Sequence, residues 1–341
     1  KHNKLIFTVM LSVNLSLAFA QSNAVYSLPK TVLKIDVTAT KIVETPGQFN
    51  QYAVRYLATN KVITEENTHY EIKSICVTPL TKPNPAQTFS SASVGKKTPH
   101  LHISVDENGI LTGLNNPIVN EQKTPPTVAN VAPTYSETGR LLPLTEEYML
   151  AGSTAKLAEG AAKQIYRIRE GRLALLLGET EHVPSGAAMK SALTKLDKLE
   201  EQLTQLFTGT IVTSTETKTF YFDPDQSVVN QVIFRLSAIS GLVPPEDLSG
   251  SPYYVRLNIE NQTDSINNNV QNANNRPFDY VPYILTATGI VSIDDGKNTL
   301  HTGNYDFPQF GKPIKLNLNN LTKTTKKVRI DNVSGRLLGI E

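Results

Sequence analysis

Apolar and polar residues alternate from Val32 through Leu33, Lys34, Ile35, Asp36, Val37 and Thr38 to Ala39, with β-branched residues among them. That period of two predicts a half-buried strand. Tyr52–Leu57 and Tyr70–Val77 have the same character and are read as further strands. From His102 to Leu114 two apolar runs flank Asp106-Glu107-Asn108-Gly109. Asn and Gly accept the positive φ of a tight turn, so this stretch is read as a hairpin. Val328 to Ile340 repeats the order: a strand, Asp331, the turn glycine Gly335, Leu337 and Gly339, as Asp106, Gly109, Leu111 and Gly113 stand in the first copy. Ile290 to Gly296 is a looser third version. Hairpins converge on such residues, which accounts for the third; the first two point to related β-lobes. On either account the motif is structural.

The period changes in the middle of the chain. Residues 121–145 hold Pro125, Pro126, Pro133 and Pro143 among Thr, Ala and Ser, an extended linker. Ser153-Thr154 then caps a helix with Leu157, Ala161, Ile165 and Ile168 along one side. Gly171 either ends that helix or interrupts it before Leu173–Leu177, and residues 178–186, with Pro184, form a turn. A second helix has Met189, Ala192, Leu196, Leu199, Leu203 and Leu206 at spacings of 3 and 4, an apolar seam. Lys190, Lys195, Lys198, Glu200 and Glu201 lie mostly away from it. Its use is as one arm of an antiparallel hairpin packed on the preceding helix, or as a short coiled coil.

From Gly209 the chain returns to β character. The run to Phe222 is rich in Thr, and Val228–Leu242, Tyr253–Ile259, Tyr280–Ile293, Ile314–Leu318 and Val328–Ile340 continue it. Asn267–Asn275 is a polar loop. Strands, helix pair, strands is not a βαβ series, so antiparallel sheets are expected. The expected fold is α+β: two mainly antiparallel, sandwich-like β-lobes with a helical hairpin inserted between them. The expected divisions are a leader at 1–20, an N-terminal β-lobe at 21–120, a Pro/Thr-rich linker at 121–152, the helical hairpin at 153–208 and a C-terminal β-lobe at 209–341.

The leader changes the picture of where the protein works. Lys1, His2 and Lys4 precede an apolar run from Leu5 to Leu17, and Ala18-Phe19-Ala20 is the small-x-small pattern that a signal peptidase cuts. The run is too short and too polar for a retained span, so an exported chain starting at Gln21 is expected, in the periplasm, at the cell surface or secreted. No second long apolar segment follows. Cleavage takes Lys1 and Lys4 from the 33 basic residues and nothing from the 31 acidic ones, leaving a charge near zero. Nucleic-acid binding needs a basic excess on one face, and none is visible. The nearest cluster, Lys323–Arg329, reads as the charged start of a strand.

Candidate chemistry is sparse. His100 and His102 share a face if Thr98–Val105 is a strand, and with a third ligand from His69, Glu65 or Glu66 they could hold a metal; otherwise they sit on a solvated hairpin arm. Cys76, the lone cysteine, lies in a β-like run and reads as a buried, inert thiol; as a nucleophile it needs a histidine brought close. Asp223-Pro224-Asp225-Gln226 offers oxygens to calcium but lacks EF-hand spacing, and reads as a turn. Glu179, Glu181, His182 and Ser185 sit together in the interhelical turn, where Ser185 also serves as a helix cap. No phosphate loop, dinucleotide fingerprint or zinc-ligand cysteine pair occurs, so no cofactor is expected.

Four segments carry a resemblance. They are Tyr26–Leu33; Leu157–Ala162 continuing to Arg167–Arg172; Phe234-Arg235-Leu236-Ser237 with Gly241-Leu242-Val243; and Gln309-Phe310-Gly311. Over nearly all of the mature length the chain resembles a family of exported proteins of unknown function from Gram-negative anaerobic bacteria. The resemblance implies export and a β–helical–β layout, and brings no activity or catalytic residues. The leading expectation is a non-enzymatic envelope protein, a binding or assembly component whose partner is an envelope protein or a glycan. The alternative is a glycan- or peptide-directed enzyme or ligand-binding protein, possible with a metal at His100 and His102.

Overall fold

The computed structural model describes residues 25–90, 103–115, 152–179, 185–260, 280–317 and 326–341. The expected leader, the linker up to residue 151 and the Asn-rich stretch lie outside the described residues.

One strand organises the molecule. β1 (Val25–Thr45) is antiparallel to β2 (Asn67–Ser90) on one side and to β5 (Thr210–Phe222) on the other. Leu33, Ile35, Val37 and Ala39 point inward and are buried, while Lys34, Asp36, Thr38 and Thr40 face out, as the alternation predicts. Each fully buried Leu, Ile or Val there contributes about 1.5–3 kcal/mol. The opposing layer is a five-stranded antiparallel sheet in the order β10-β9-β8-β6-β7. Its members are β6 (Val228–Ser237), β7 (Gly241–Val243), β8 (Ser251–Ile259), β9 (Tyr280–Asp294) and β10 (Thr299–Asn317). The largest core lies between these layers, with Phe222, Phe234, Val255, Val291 and Phe307 against the inner row of β1.

Two smaller cores sit at the ends of β1. At its start, Tyr26 and Leu28 pack with Val281 and Ile284 beneath a four-stranded sheet. That sheet joins β3 (Ile103–Val105) and β4 (Leu111–Leu114) to β11 (Val328–Ile330) and β12 (Leu337–Ile340), in the order β12-β11-β4-β3. The two similar hairpins are therefore neighbours, with Val328 opposite Leu114 and Arg329 opposite Gly113. The α+β, mainly antiparallel character is as expected. The strands are shared between regions, however: β1–β5 and β4–β11 each pair residues from 21–120 with residues from 209–341.

Beyond the far end of β1 lies the helical unit. A short 3-10 turn (Asn50–Tyr52) leads into α1 (Ala53–Leu57), and α2 (Thr154–Leu177) packs on α3 (Gly186–Thr208). Ser153 caps α2, its hydroxyl accepting from the Lys156 amide at 3.4 Å. The expected hairpin is present, and the seam from Met189 to Leu206 is half-buried or buried throughout. α2 runs straight through Gly171 and ends at Gly178. The expected strand at Tyr52–Leu57 is corrected to a helical turn. Tyr52, Ala53, Tyr56 and Leu57 pack on the helical core while Val54 is 61% exposed, a helical face and not a period of two.

Candidate functional site

The residues singled out for chemistry do not converge among the described residues. His100, His102, Glu181 and His182 lie outside them. His69 is on β2, with its Nδ1 3.4 Å from Asn67 Nδ2 and its Nε2 3.8 Å from Glu71 Oε1. No three His, Cys, Asp or Glu among the described residues stand close enough to hold a metal. Cys76 is corrected from buried to exposed. It pairs with Asp36 on the outward face of β2, whereas its neighbours Ile75 and Val77 face the core. Asp223 forms an ion pair with Lys30 at 2.8 Å. Ser185 stands at the N-cap of α3, but its side chain makes no capping bond.

An open depression of about 630 Å³ lies along α2 and α3, lined by Arg169, Arg172, Asp197, Glu200 and Glu201 with Thr204, Gln205, Thr208 and Gly209. Arg169 Nε donates to Glu200 Oε1 at 2.7 Å, and Arg172 donates to Asp197 at 2.5 Å and to the second Glu200 oxygen at 3.3 Å. Four charged groups are thereby spent on joining one helix to the other. Arg169 and Arg172 belong to the motif at 167–172, so that motif acts as an interhelical fastener.

The other motif segments resolve the same way. Gln309 lies where the β9–β10 register shifts, and its side-chain amide donates to Thr31 O at 2.8 Å and accepts from Thr31 N at 3.0 Å. It completes the hydrogen bonding of β1 at a point that β5 does not reach. Arg235 donates to the carbonyls of Pro245 and Gly250 and ties down the loop after β7. Ser237 Oγ accepts from the Ile239 and Ser240 amides in the β6–β7 turn. Leu242 is held from the facing layer: its amide donates to Glu216 Oε1 at 2.8 Å, and its carbonyl accepts from Lys218 Nζ at 2.5 Å. Glu216 and Lys218 were not singled out in the sequence; the available signal is two charges, two apart, on the inward row of β5.

The three similar turns share one device. Asp106 Oδ1 accepts from the amides of Asn108 and Ile110, Asp331 from those of Val333 and Ser334, and Asp294 from that of Gly296. Asn332 reaches across to Asp106 at 3.4 Å. These carboxylates close turns, which is the structural role expected of the motif.

The outward side of β5 is an exposed polar face. Thr213, Thr215, Thr217 and Thr219 are all exposed and project from one face. Thr217 Oγ1 is 2.9 Å from Thr38 Oγ1, and Thr219 donates to Asp36 at 2.5 Å. Burial pushes the Asp36 carboxyl up, but hydrogen bonds from Lys34 and Thr219 and the Lys34 charge outweigh it and hold the group below its ordinary range. The face is thus a row of hydroxyls around one ionised carboxylate. On β10, burial lowers the His301 imidazole below its ordinary value, and its Nε2 lies 2.9 Å from the Tyr305 hydroxyl.

No helix among the described residues is long and apolar enough to cross a membrane. Comparison with curated proteins and with solved structures returned no match. A family model does match, from residue 22 to residue 338, and the chain therefore belongs to the family described as a domain of unknown function, DUF4831.

Proposed function

We propose that the chain is an exported, non-enzymatic component of the cell envelope that acts by binding or assembly, in the periplasm or at the cell surface. The observation that carries this reading is the contrast between motif side chains spent inside the frame and a polar strand face left exposed. The motif side chains Arg169, Arg172, Arg235, Ser237 and Gln309 are engaged in holding the frame together. The hydroxyl row and outer edge of β5 face solvent as one extended surface. The leader at residues 1–20 supports export.

Thermal shift of residues 21–341 against divalent cations, glycans and peptidoglycan fragments tests it. A ligand of the folded state at a hundred times its dissociation constant adds about 2.7 kcal/mol, a shift of degrees. The expected result is no saturable shift with any of them, together with protein cross-links in the intact envelope. A saturable rise with one small ligand replaces this reading with a ligand-directed activity. N-terminal sequencing of the exported protein is expected to begin at Gln21.

A further inference from the structure

We propose that β5 is a docking edge at which a second copy of this chain adds its own β5, antiparallel, about a two-fold axis at Thr217. This rests on the assembly reading and names its partner.

The edge is long and regular. β5 follows β1 without a register shift, from Phe222 opposite Leu33 to Thr210 opposite Thr45. Among the described residues no hydrogen bond reaches its outer row of backbone N–H and C=O groups, because β5 ends the sheet. Such a row is a template for another strand. Ile211, Val212 and Tyr221 along it are 61%, 59% and 58% exposed. The opposite edge of the same sheet is built differently. β2 carries Pro79, Pro83 and Pro85, and its pairing with β1 shifts register twice. Prolines and irregular pairing both discourage added strands, and β5 has neither.

The occupant follows from the sequence of the edge itself. Antiparallel pairing about Thr217 sets Glu216 opposite Lys218 of the second copy, twice by symmetry, and Thr215 opposite Thr219. It also sets Thr213 opposite Tyr221 and Val212 opposite Phe222. Opposite charges and Thr–Thr pairs facing each other across an antiparallel ladder are favourable. Moving the axis to residue 216 or 218 puts two Glu216 or two Lys218 face to face, which is unfavourable, so charge selects the register. Leu242 uses one Glu216 oxygen and one Lys218 ammonium hydrogen, and leaves the second oxygen and the other ammonium hydrogens for this pairing. An isologous contact of this kind closes as a dimer with one continuous sheet in the order β2-β1-β5-β5-β1-β2.

Light scattering of the mature chain tests the contact, with circular dichroism as the check on folding. Thr217 is exposed and its hydroxyl bonds to that of Thr38 on the outward face, so its replacement spares the core. The wild type is expected at twice the mass of one chain. Thr217→Lys and Thr217→Glu each set like charges on the axis and are expected at half that mass, and mixing the two variants restores the doubled mass. A wild type of single-chain mass overturns the pairing. So does a dimer that either variant leaves intact, or a mixture of the variants that stays monomeric. The assembly reading falls separately, through a saturable small-ligand shift, so the two failures are distinguishable.

Discussion

The two ends of β1 are closed by different physics. At the hairpin end, Tyr26 and Leu28 lie under a sheet made from two short hairpins, and the turns are closed by the carboxylates of Asp106 and Asp331. At the helical end, Ala158, Ala161 and Ala162 let α2 approach Phe49 and Phe207, whose rings are 5.4 Å apart. The chain also closes tightly there. A Cβ on Gly47 would stand 2.4 Å from the Leu206 carbonyl oxygen, and one on Gly209 would stand 2.5 Å from that of Thr45. Both ends bury an apolar core; the hairpin end adds directional polar bonds in its turns, and the helical end adds close backbone approach. Deletions of side-chain volume, additions of volume and deletions of polar groups therefore separate the two ends.

The largest effect belongs to volume at the helical end. Phe207→Ala removes a fully buried ring between the helices and the 3-10 turn, and is expected to cost about 3–5 kcal/mol in denaturant unfolding. A loss below about 1 kcal/mol would mean that the helical core collapses around the gap and that the comparison is wrong. Next in size is a pair of glycines. Gly209 and Gly109 both have positive φ, +88° and +79°, but only Gly209 has a neighbour where its Cβ would stand. Gly109→Ala is expected to cost about 1–2 kcal/mol, the conformational strain alone. Gly209→Ala is expected to cost clearly more, since its ψ of −178° lies in a region essentially reserved for glycine and the Thr45 backbone must also move; equal losses in thermal melts would remove the claim of tight closure.

Much of this frame was legible in local patterns, and the parts that were not are the non-local ones. The inward row Leu33, Ile35, Val37 and Ala39 follows directly from period two, and the seam from Met189 to Leu206 from periods of 3 and 4. Tyr52–Leu57 misled because aromatic and β-branched residues suit a strand, while the buried set Tyr52, Ala53, Tyr56 and Leu57 is helical in spacing. The likeness of the first and last hairpins was visible, but their pairing was not, since nothing local records which strands meet. Gln309 stood out as part of a motif, yet its bond to Thr31, 278 positions away, is fixed only by folding. The same holds for Glu216 and Lys218 on Leu242, and it is why charges on an inward row had no visible purpose.

The polar end is tested by its two turn carboxylates. Asp331→Ala strips acceptors from the Val333 and Ser334 amides and from the Ser334 hydroxyl. Ser334 is 5% exposed and its carbonyl receives the Thr286 hydroxyl, so water does not readily replace the lost bonds. A loss of about 1–3 kcal/mol is expected. Asp106→Ala, in a turn whose Asn108 is exposed, is expected to lose less, and a reversed order in chemical unfolding would show that resemblance in sequence misstates the two environments.

The smallest effect is expected where charge looks densest, between α2 and α3. Arg172 is 40% exposed and Asp197 57%, whereas Glu200 is only 17% exposed, so solvent screens one partner pair more than the other. A double-mutant cycle of Arg172→Ala with Asp197→Ala is expected to give a coupling of about 0.2–1 kcal/mol, the range of exposed pairs. At about 1 M salt, where the screening length is near 3 Å, that coupling should largely vanish. A cycle with Glu200→Gln should retain more of it, because Glu200 is the less exposed acid and also receives Arg169. If instead both couplings exceed about 2 kcal/mol and ignore salt, the depression between the helices is a desolvated charge site. The helical end would then add directional polar bonds to its apolar core as the hairpin end does, and the two ends would no longer differ in that respect.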